Sequence, residues 1–180
     1  MDNFEKKLLK MIFKAGTSNL VKIDESRLKY NDRLTIKDYI EYGVLTYNKK
    51  KELIVSKDFI SYEGEVVRVK PNFSFVHIDE LDDDFYVSNT YLNNALIHDK
   101  VKVWLFPLDE RGVVEKIIEH ANKEIVGTLS YAKRVHVVPS DSSLPPVYIL
   151  EDSVISSPND VVVVSITNYE GELITESSKI

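Results

Sequence analysis

The sequence predicts a mainly β protein that begins with a small α/β domain and continues with two small β-barrels. Three observations support this fold class. Apolar residues recur at helical spacing near the amino end, whereas from residue 62 onward they alternate as they do in strands. The strand-rich part also repeats, because Gly64 and Gly127 each open a similar succession of short valine-rich and aromatic runs.

The amino-terminal domain, residues 1–60, combines two helical segments with a hairpin. We expect helices over residues 3–14 and 32–42, and strands over residues 44–47 and 52–55. Gly16 would end the first helix, Asn31 would cap the second, and Gly43 would end it. Helices followed by a hairpin predict a winged-helix (helix-turn-helix) domain.

The sequence pattern predicts five strands in each of the two segments 61–122 and 123–180. These strands are expected over residues 62–70, 73–78, 84–88, 100–106 and 111–120, and then over 124–131, 134–138, 147–150, 161–167 and from about 172. A helical turn over residues 90–95 would separate the third and fourth strands of the first set. This arrangement predicts two tandem barrels of the OB type. The last strand reaches Ile180 with no closing sequence, so we expect the second barrel to be truncated.

The composition excludes several kinds of site. The chain has no cysteine, which rules out disulfides and thiolate zinc sites and favours a reducing compartment. It shows neither a signal peptide nor a membrane-spanning run, so we expect a cytoplasmic protein with no membrane partner. The four histidines lack metal-ligand spacing, and there is no phosphate loop or nucleophile elbow. We therefore predict no catalytic residue and no metal ligand in this chain.

The charge is distributed unevenly along the chain. The net charge is −6, yet residues 1–60 hold 13 Lys+Arg against 9 Asp+Glu, and both later segments are acidic. Three consecutive lysines, Lys49, Lys50 and Lys51, form the tip of the predicted hairpin. They could bind phosphates and release counterions, or they could form a solvated turn that keeps the edge strand from pairing with other chains. Both interpretations remain open.

Strand alternation places aromatic side chains on the outer face of the first predicted barrel. Phe73, Phe75 and His77 would point outward, since the residues between them are smaller and suit the interior. On the next strand Tyr86 would also point outward, beside that row. The candidate binding residues of this face are Phe73, Phe75, His77, Tyr86, Arg68 and Lys70. Rings flanked by cations form a platform on which unpaired bases can stack. The alternative is that one ring of each pair lies in the core and the neighbouring domain covers the others.

The same residues resemble a known family. Residues 73–76 (Phe-Ser-Phe-Val) and 85–87 (Phe-Tyr-Val) resemble the two RNA-contact motifs of cold-shock domains. Residues 93–101 are similar to the Gly-Ala-x-His-Gly-Asp-x-Val stretch of RNase R-type enzymes of the RNase II superfamily, although the glycine between His98 and Asp99 is missing. In the second repeat the resemblance continues over residues 125–127, 137–141 and 160–164.

This resemblance implies a winged-helix domain followed by two cold-shock domains, with a catalytic domain and an S1 domain beyond them. The chain would be the RNA-binding region of a processive, Mg²⁺-dependent 3′-to-5′ exoribonuclease that releases nucleoside 5′-monophosphates. By itself it would be an inactive monomer without a cofactor, because Mg²⁺ belongs to the catalytic domain. Its expected partners are single-stranded RNA, structured RNA and the ribosome. Two alternatives stay open: a stand-alone tandem cold-shock protein acting as an RNA chaperone or translation factor, and a pair of protein-interaction modules.

The chain departs from the family pattern at several positions. Asn72 and Ser74 replace glycines around the first aromatic motif. In the second repeat Arg134 and His136 stand where aromatic residues are usual, while Tyr148 keeps the aromatic of the neighbouring strand. We expect these last three residues to form a second, weaker RNA-binding platform.

The acidic run at residues 79–84 raises the question of a metal site. Clustered carboxylates bind Mg²⁺ in nucleases of this superfamily. The family's catalytic aspartates, however, belong to the domain that would follow residue 180. We therefore interpret the run as a solvated loop between two strands.

Overall fold

The computed structural model describes residues 1–149, 157–175 and 178–179. It is mainly β, with two α-helices and three sheets of two, five and six strands among these residues. The two larger sheets are curled as in OB-fold barrels, and we call them the first and second barrels. Among the described residues no helix combines the length and the apolar character that crossing a membrane requires.

The first helix, α1 (Asn3–Ala15), is amphipathic and closely matches the predicted segment. The Asp2 carboxylate accepts a hydrogen bond from the backbone N–H of Glu5 at 2.8 Å, which satisfies one of the free donors at the helix start. The helix ends at Gly16, whose φ of 79° is readily adopted only by glycine. The apolar stripe of α1, including Leu8 and Ile12, is buried.

The second helix, α2 (Tyr30–Glu41), begins earlier than the sequence pattern predicts, and Asn31 as its cap is wrong. The residue at the cap position is Lys29, and the Asp32 carboxylate accepts from its backbone N–H at 3.4 Å. The helix stops before Gly43, which has a φ of 80°. Strands β1 (Leu45–Tyr47) and β2 (Leu53–Val55) then form the expected antiparallel hairpin.

The first barrel contains β3 (Ser61–Val69), β4 (Phe73–Ile78), β5 (Asp83–Ser88), β6 (Lys100–Leu105) and β7 (Gly112–Glu119). The strand order is β5-β4-β3-β6-β7, and a bridge between Tyr86 and Arg111 joins its two edges. The expected helical turn is a short 3₁₀ helix, Asn89–Tyr91. The turn without the family glycine forms nevertheless, because His98 itself adopts a left-handed φ of 69°.

The second barrel contains β8 (Glu124–Ser130), β9 (His136–Pro139), β10 (Val147–Ile149), β11 (Val161–Ser165), β12 (Leu173–Thr175) and β13 (Ser178–Lys179). The strand order is β12-β10-β9-β8-β11-β13, with β12 parallel to β10. Strand β9 starts at His136, so the predicted start at residue 134 is wrong. Leu150 and Ile180, both expected in strands, lie outside the described residues.

Gly64 and Gly127 occupy corresponding places in the two barrels. A Cβ atom on Gly64 would lie 2.5 Å from Cγ1 of Val76, and one on Gly127 would lie 2.3 Å from the carbonyl oxygen of Val138. In both barrels the strand that follows crosses too closely for a side chain. This close approach gives a physical reason for the glycines with which the two repeats open.

The hydrophobic core of the amino-terminal helices and hairpin extends onto the first barrel at Trp104, Phe106 and Val113, and the barrel interior forms a separate core. Phe59 stacks on Trp104 of β6 with ring centroids 4.9 Å apart, and Tyr42 stacks on Phe106 at 5.4 Å. The hydroxyls of Tyr39 on α2 and Tyr91 on the first barrel both donate to Oε1 of Glu5, at 2.8 Å and 2.7 Å. Burial and this shared carboxylate raise the pKa of both tyrosines.

Candidate nucleic-acid interface

Phe73, Phe75 and Tyr86, which we call the ring cluster, lie together on the outer face of β4 and β5. Phe75 is the cross-strand partner of Tyr86. The Phe73 ring is stacked on Tyr86 with centroids 5.3 Å apart and 23° between the ring planes. Phe75 meets both of the other rings edge to face, at 5.7 Å and 6.3 Å. The three rings thus form one continuous aromatic surface.

The burial pattern fixes the direction in which these rings point. Along β4, Ser74, Val76 and Ile78 are fully buried, whereas the residues that alternate with them are half-buried. On β5 Val87 is buried, and Tyr86 is 38% exposed. The rings therefore lie outside the barrel core, in the direction that strand alternation predicts.

Ser74, at a position where the resemblance implies a glycine, takes part in a side-chain hydrogen-bond network. Its hydroxyl donates to Oδ1 of Asn89 at 2.7 Å, and the Asn89 amide donates to the backbone carbonyl of Lys70 at 2.7 Å. The backbone N–H of Lys70 donates to the carbonyl of Phe73 at 2.8 Å. The turn that precedes β4 is therefore held by side chains as well as by the backbone.

Arg68 lies at the ring cluster because β3 contains an irregularity in register. The pairing of β3 with β4 shifts between Val66 and Arg68, which places Arg68 opposite Phe75. Its guanidinium carbon is 5.5 Å from the centroid of the Phe75 ring, within range of a cation–π contact. Lys70 lies in the turn between β3 and β4. The two cations predicted for this face therefore lie beside different rings, Arg68 at Phe75 and Lys70 at Phe73.

His77 does lie on the outer side of β4, but carboxylates hold the edge of its ring. Its Nδ1 is 2.6 Å from Oδ1 of Asp84, and its Nε2 is 3.2 Å from Oδ1 of Asp79. The hydrogen bond to Asp84 raises the pKa of His77, and the negative charges of Asp84, Asp79 and Asp82 raise it further. His77 thus lies at the far end of the aromatic row among carboxylates that favour its charged form.

The acidic run is partly structured. Asp79–Leu81 forms a 3₁₀ helix, Asp82 is left-handed with φ 49°, and Asp83 and Asp84 already belong to β5. The interpretation of the whole run as a loop is therefore wrong. Within the described part of the chain, no group of three or more His, Cys, Asp or Glu residues is arranged to hold a metal ion.

The candidate residues of the second barrel also meet, but their ring is covered. The guanidinium carbon of Arg134 lies 4.1 Å from the centroid of Tyr148. Nη1 of Arg134 is also 2.8 Å from Oε2 of Glu172. His136 is the cross-strand partner of Tyr148, with centroids 5.7 Å apart and Nδ1 at 2.7 Å from the Arg134 carbonyl. Arg134 therefore occupies a face of the tyrosine ring on which a base would stack.

Lys49, Lys50 and Lys51 form an exposed turn on a different sheet from both aromatic groups. Oδ1 of Asn48 accepts from the backbone N–H groups of Lys50 and Glu52, both at 2.9 Å, and Lys51 is left-handed with φ 63°. The twelve predicted binding residues are therefore divided among three places: the first barrel, the second barrel and the hairpin turn.

Two residues that shape these sites are absent from the sequence-based predictions. Asp84 holds His77, and the β4–β5 register that pairs them follows from the strand pattern, so this contact could have been found. Glu172 holds Arg134 from 38 residues away, and no local signal marks it.

The comparisons with known proteins rest on structure. No protein-family model matches the sequence, and no curated protein matches it. The fold is similar to part of Mycoplasma genitalium RNase R in complex with ribose-methylated single-stranded RNA, with a TM-score of 0.52, 18% identity, and coverage of 64% of this chain and 21% of that one. It is also similar to yeast Ssd1, a pseudonuclease, with a TM-score of 0.53, 16% identity, and coverage of 66% of this chain and 22% of that one. The apo form of the same RNase R gives a TM-score of 0.53 at 17% identity over 64% of this chain and 21% of that one. At these identities the similarity shows a shared fold.

Proposed function

We propose that this chain binds single-stranded RNA by stacking bases on the ring cluster. It would serve as the RNA-capturing, amino-terminal region of a processive, Mg²⁺-dependent 3′-to-5′ exoribonuclease of the cytoplasm. The observation that carries this proposal is the ring cluster itself: three contacting, outward-facing rings on two neighbouring strands of a curled sheet. Stacking on such rings is sequence-tolerant, because every base has a π face.

The cations beside the rings support the same assignment. Lys70 stands at the Phe73 end of the ring cluster, Arg68 stands opposite Phe75, and the acidic run lies beyond His77. The phosphates of a bound RNA strand would therefore contact Arg68 and Lys70 while its bases stack on the rings. The similarity to an RNase R solved with single-stranded RNA supports RNA as the ligand.

The amino-terminal elements favour a supporting role in RNA binding. Two helices, a short 3₁₀ turn and a hairpin follow one another in the order of a small winged-helix domain. Lys49, Lys50 and Lys51 at the hairpin tip would then contact phosphates of a structured RNA. Because the core of this domain extends onto the first barrel, the two would present RNA contacts on one body.

A second candidate is an RNA-binding protein that does not cut RNA, such as a tandem cold-shock chaperone or translation factor. The similarity to Ssd1, a pseudonuclease, favours it, because the same fold then occurs in a protein without nuclease activity. The two candidates differ only outside the RNA-binding face. Incubating the native full-length protein with labelled RNA and Mg²⁺ separates them: release of nucleoside 5′-monophosphates supports the first, and intact RNA supports the second.

Fluorescence anisotropy with dye-labelled oligo(A) tests the RNA-binding proposal itself. We expect the wild-type chain to bind at low salt and to weaken as salt rises. Phe75→Ala and Tyr86→Ala should each weaken binding by about 5-fold to 100-fold, corresponding to roughly 1–3 kcal/mol per stacked base.

The control is Tyr30→Ala, which removes an exposed ring that belongs to α2 and not to β4 or β5. This variant should bind oligo(A) as the wild type does. Absence of binding at low salt, or equal losses in all three variants, would exclude the ring cluster as an RNA site and favour protein-interaction modules instead.

A further inference from the structure

The far end of the ring cluster carries a histidine placed between two carboxylates, which favour its charged form. Both ring nitrogens of His77 lie within hydrogen-bonding distance of carboxylate oxygens, Nδ1 with Asp84 and Nε2 with Asp79. Nδ1 forms a hydrogen bond with Asp84, and a carboxylate can only accept, so Nδ1 donates. Nε2 lies at ion-pair distance from Asp79, where a lone pair on this nitrogen would face a negative charge and an N–H would not. Only the imidazolium form of His77 has two N–H groups.

The surroundings of His77 are otherwise acidic. Glu65 on β3 is its cross-strand neighbour, Asp84 faces it from β5, and Asp79 and Asp82 lie in the connection that follows β4. Glu65 also has His98 nearby, with 3.9 Å between Oε2 and Nδ1. When His77 is protonated, it is therefore a positive charge between Asp79 and Asp84.

Loss of one proton from His77 would change the charge of this end sharply. One ring nitrogen would then present a lone pair to a carboxylate, and that carboxylate would lose its partner. Asp79 is 99% exposed and His77 31%, so the released charge would stand on the surface beside Phe75 and Tyr86. A phosphate backbone crossing the rings would meet a more negative end.

We propose that His77 is a proton-dependent charge switch for the ring cluster, which favours single-stranded RNA when protonated and disfavours it when neutral. This inference rests on the proposed RNA-binding function and adds its regulation. It replaces the role of stacking ring that the sequence suggested for His77. The carboxylate neighbours raise the pKa of His77 above its ordinary value of 6.5. His77 therefore loses its proton on the alkaline side of that value.

Oligo(A) affinity measured by anisotropy between about pH 6 and about pH 9, at roughly 50 mM salt, tests the switch. We expect wild-type binding to weaken by about 3-fold to 10-fold as pH rises, the effect of one unit charge several ångströms from a phosphate at a protein surface. His77→Gln should bind weakly with no dependence on pH, and His77→Arg should bind tightly with none. Asp84→Asn should move the midpoint to lower pH, because it removes the main hydrogen bond to the imidazolium.

The matched control is His120→Gln, a histidine that contacts Asp99 and Tyr169 and is not among the predicted binding residues; it should keep the wild-type pH profile. A second measurement uses the unaltered protein: NMR titration of His77 with and without oligo(A). If the protonated form binds RNA more tightly by about 3-fold to 10-fold, RNA must raise the pKa of His77 by about 0.5 to 1, because linkage is reciprocal.

The outcomes separate this inference from the function on which it rests. Binding that depends on Phe75 but not on pH, or a wild-type pH profile in His77→Gln, overturns the switch and leaves the RNA-binding face intact. Failure to bind oligo(A) at about pH 6, with no effect of Phe75→Ala, overturns both.

Discussion

The outer faces of the two barrels differ in what lies over their rings. On the first barrel Phe73, Phe75 and Tyr86 touch one another, and Arg68 stands beside Phe75 at 5.5 Å. On the second barrel Arg134 lies 4.1 Å above Tyr148 and is paired with Glu172. A guanidinium thus lies over one ring on each barrel, but among the described residues the first barrel has two further rings, Phe73 and Tyr86, beside it.

The difference follows from the neighbours of each arginine. Among the described residues Arg68 forms no ion pair. Arg134, in contrast, is paired with Glu172 and lies over the Tyr148 ring. The carboxylates of the first barrel are engaged elsewhere, since Asp79 and Asp84 hold His77. The position of the acidic residues thus distinguishes the two arginines: Glu172 pairs with Arg134, whereas Asp79 and Asp84 contact His77 and not Arg68.

The largest expected effect distinguishes the two faces directly. The double variant Phe75→Ala with Tyr86→Ala should weaken oligo(A) binding by at least about 10-fold, because each ring contributes roughly 1–3 kcal/mol. Tyr148→Ala should change it by less than about 2-fold, since its ring is already covered. Anisotropy titrations of both variants at one salt concentration make the comparison. Equal losses on the two barrels would show that the covered face binds as well as the open one.

A second prediction tests whether the two barrels share their internal packing. Gly64→Ala and Gly127→Ala should each lower the free energy of unfolding by about 1–3 kcal/mol, because a methyl group has no room beside the crossing strand. Thr128→Ala, on the exposed side of the same strand as Gly127, is the control and should be nearly neutral. Urea unfolding followed by circular dichroism measures all three. If Gly127→Ala is as stable as the wild type, the strands do not approach as closely as described.

A third prediction concerns phosphate contacts. Arg68→Ala should weaken RNA binding and reduce the slope of log affinity against log salt by about 0.7, the value expected for one phosphate contact on a single strand. Arg134→Ala should leave that slope unchanged, because Arg134 is already paired with Glu172. Titrations at four or five salt concentrations provide the slopes. A smaller slope in Arg134→Ala would mean that the second barrel also contacts phosphates.

The smallest effect is expected from uncovering the second barrel. Glu172→Gln should free Arg134 to leave the Tyr148 ring and improve oligo(A) binding by about 2-fold. The gain is modest because an exposed ion pair contributes at most about 1 kcal/mol. The double variant Glu172→Gln with Tyr148→Ala should lose this gain. No change in affinity for the single variant would indicate that the arginine stays on the ring without its carboxylate partner.

The direction of the aromatic side chains was predictable from the sequence, and the charged contacts were predictable only in part. The two-residue period of β4 places Phe73 and Phe75 outward whatever surrounds them. The register shift that brings Arg68 opposite Phe75 depends on how β3 coils around the barrel, and nothing in its sequence marks it. The pairing of Arg134 with Glu172 joins distant segments and needs the folded chain.

The helix boundaries illustrate a similar limit. Asp2 and Gly16 delimit α1 by capping chemistry that can be recognised in the sequence. At α2 the expected cap, Asn31, lies inside the helix. At the start of α2 the Asp32 carboxylate accepts a hydrogen bond from the backbone N–H of Lys29. This local contact occurs in place of capping by Asn31.

The stacking of Phe59 on Trp104 and of Tyr42 on Phe106 bears on how this protein can be dissected. Removing residues 1–60 would divide the hydrophobic cluster that contains Phe59, Trp104 and Phe106. Trp104 and Phe106 would then be exposed to solvent on the isolated barrel. Such a fragment would be prone to self-association, and any loss of RNA affinity in it would report damage to its own folding. Point substitutions in the intact chain are therefore the sounder way to assign the contribution of the lysine-tipped hairpin.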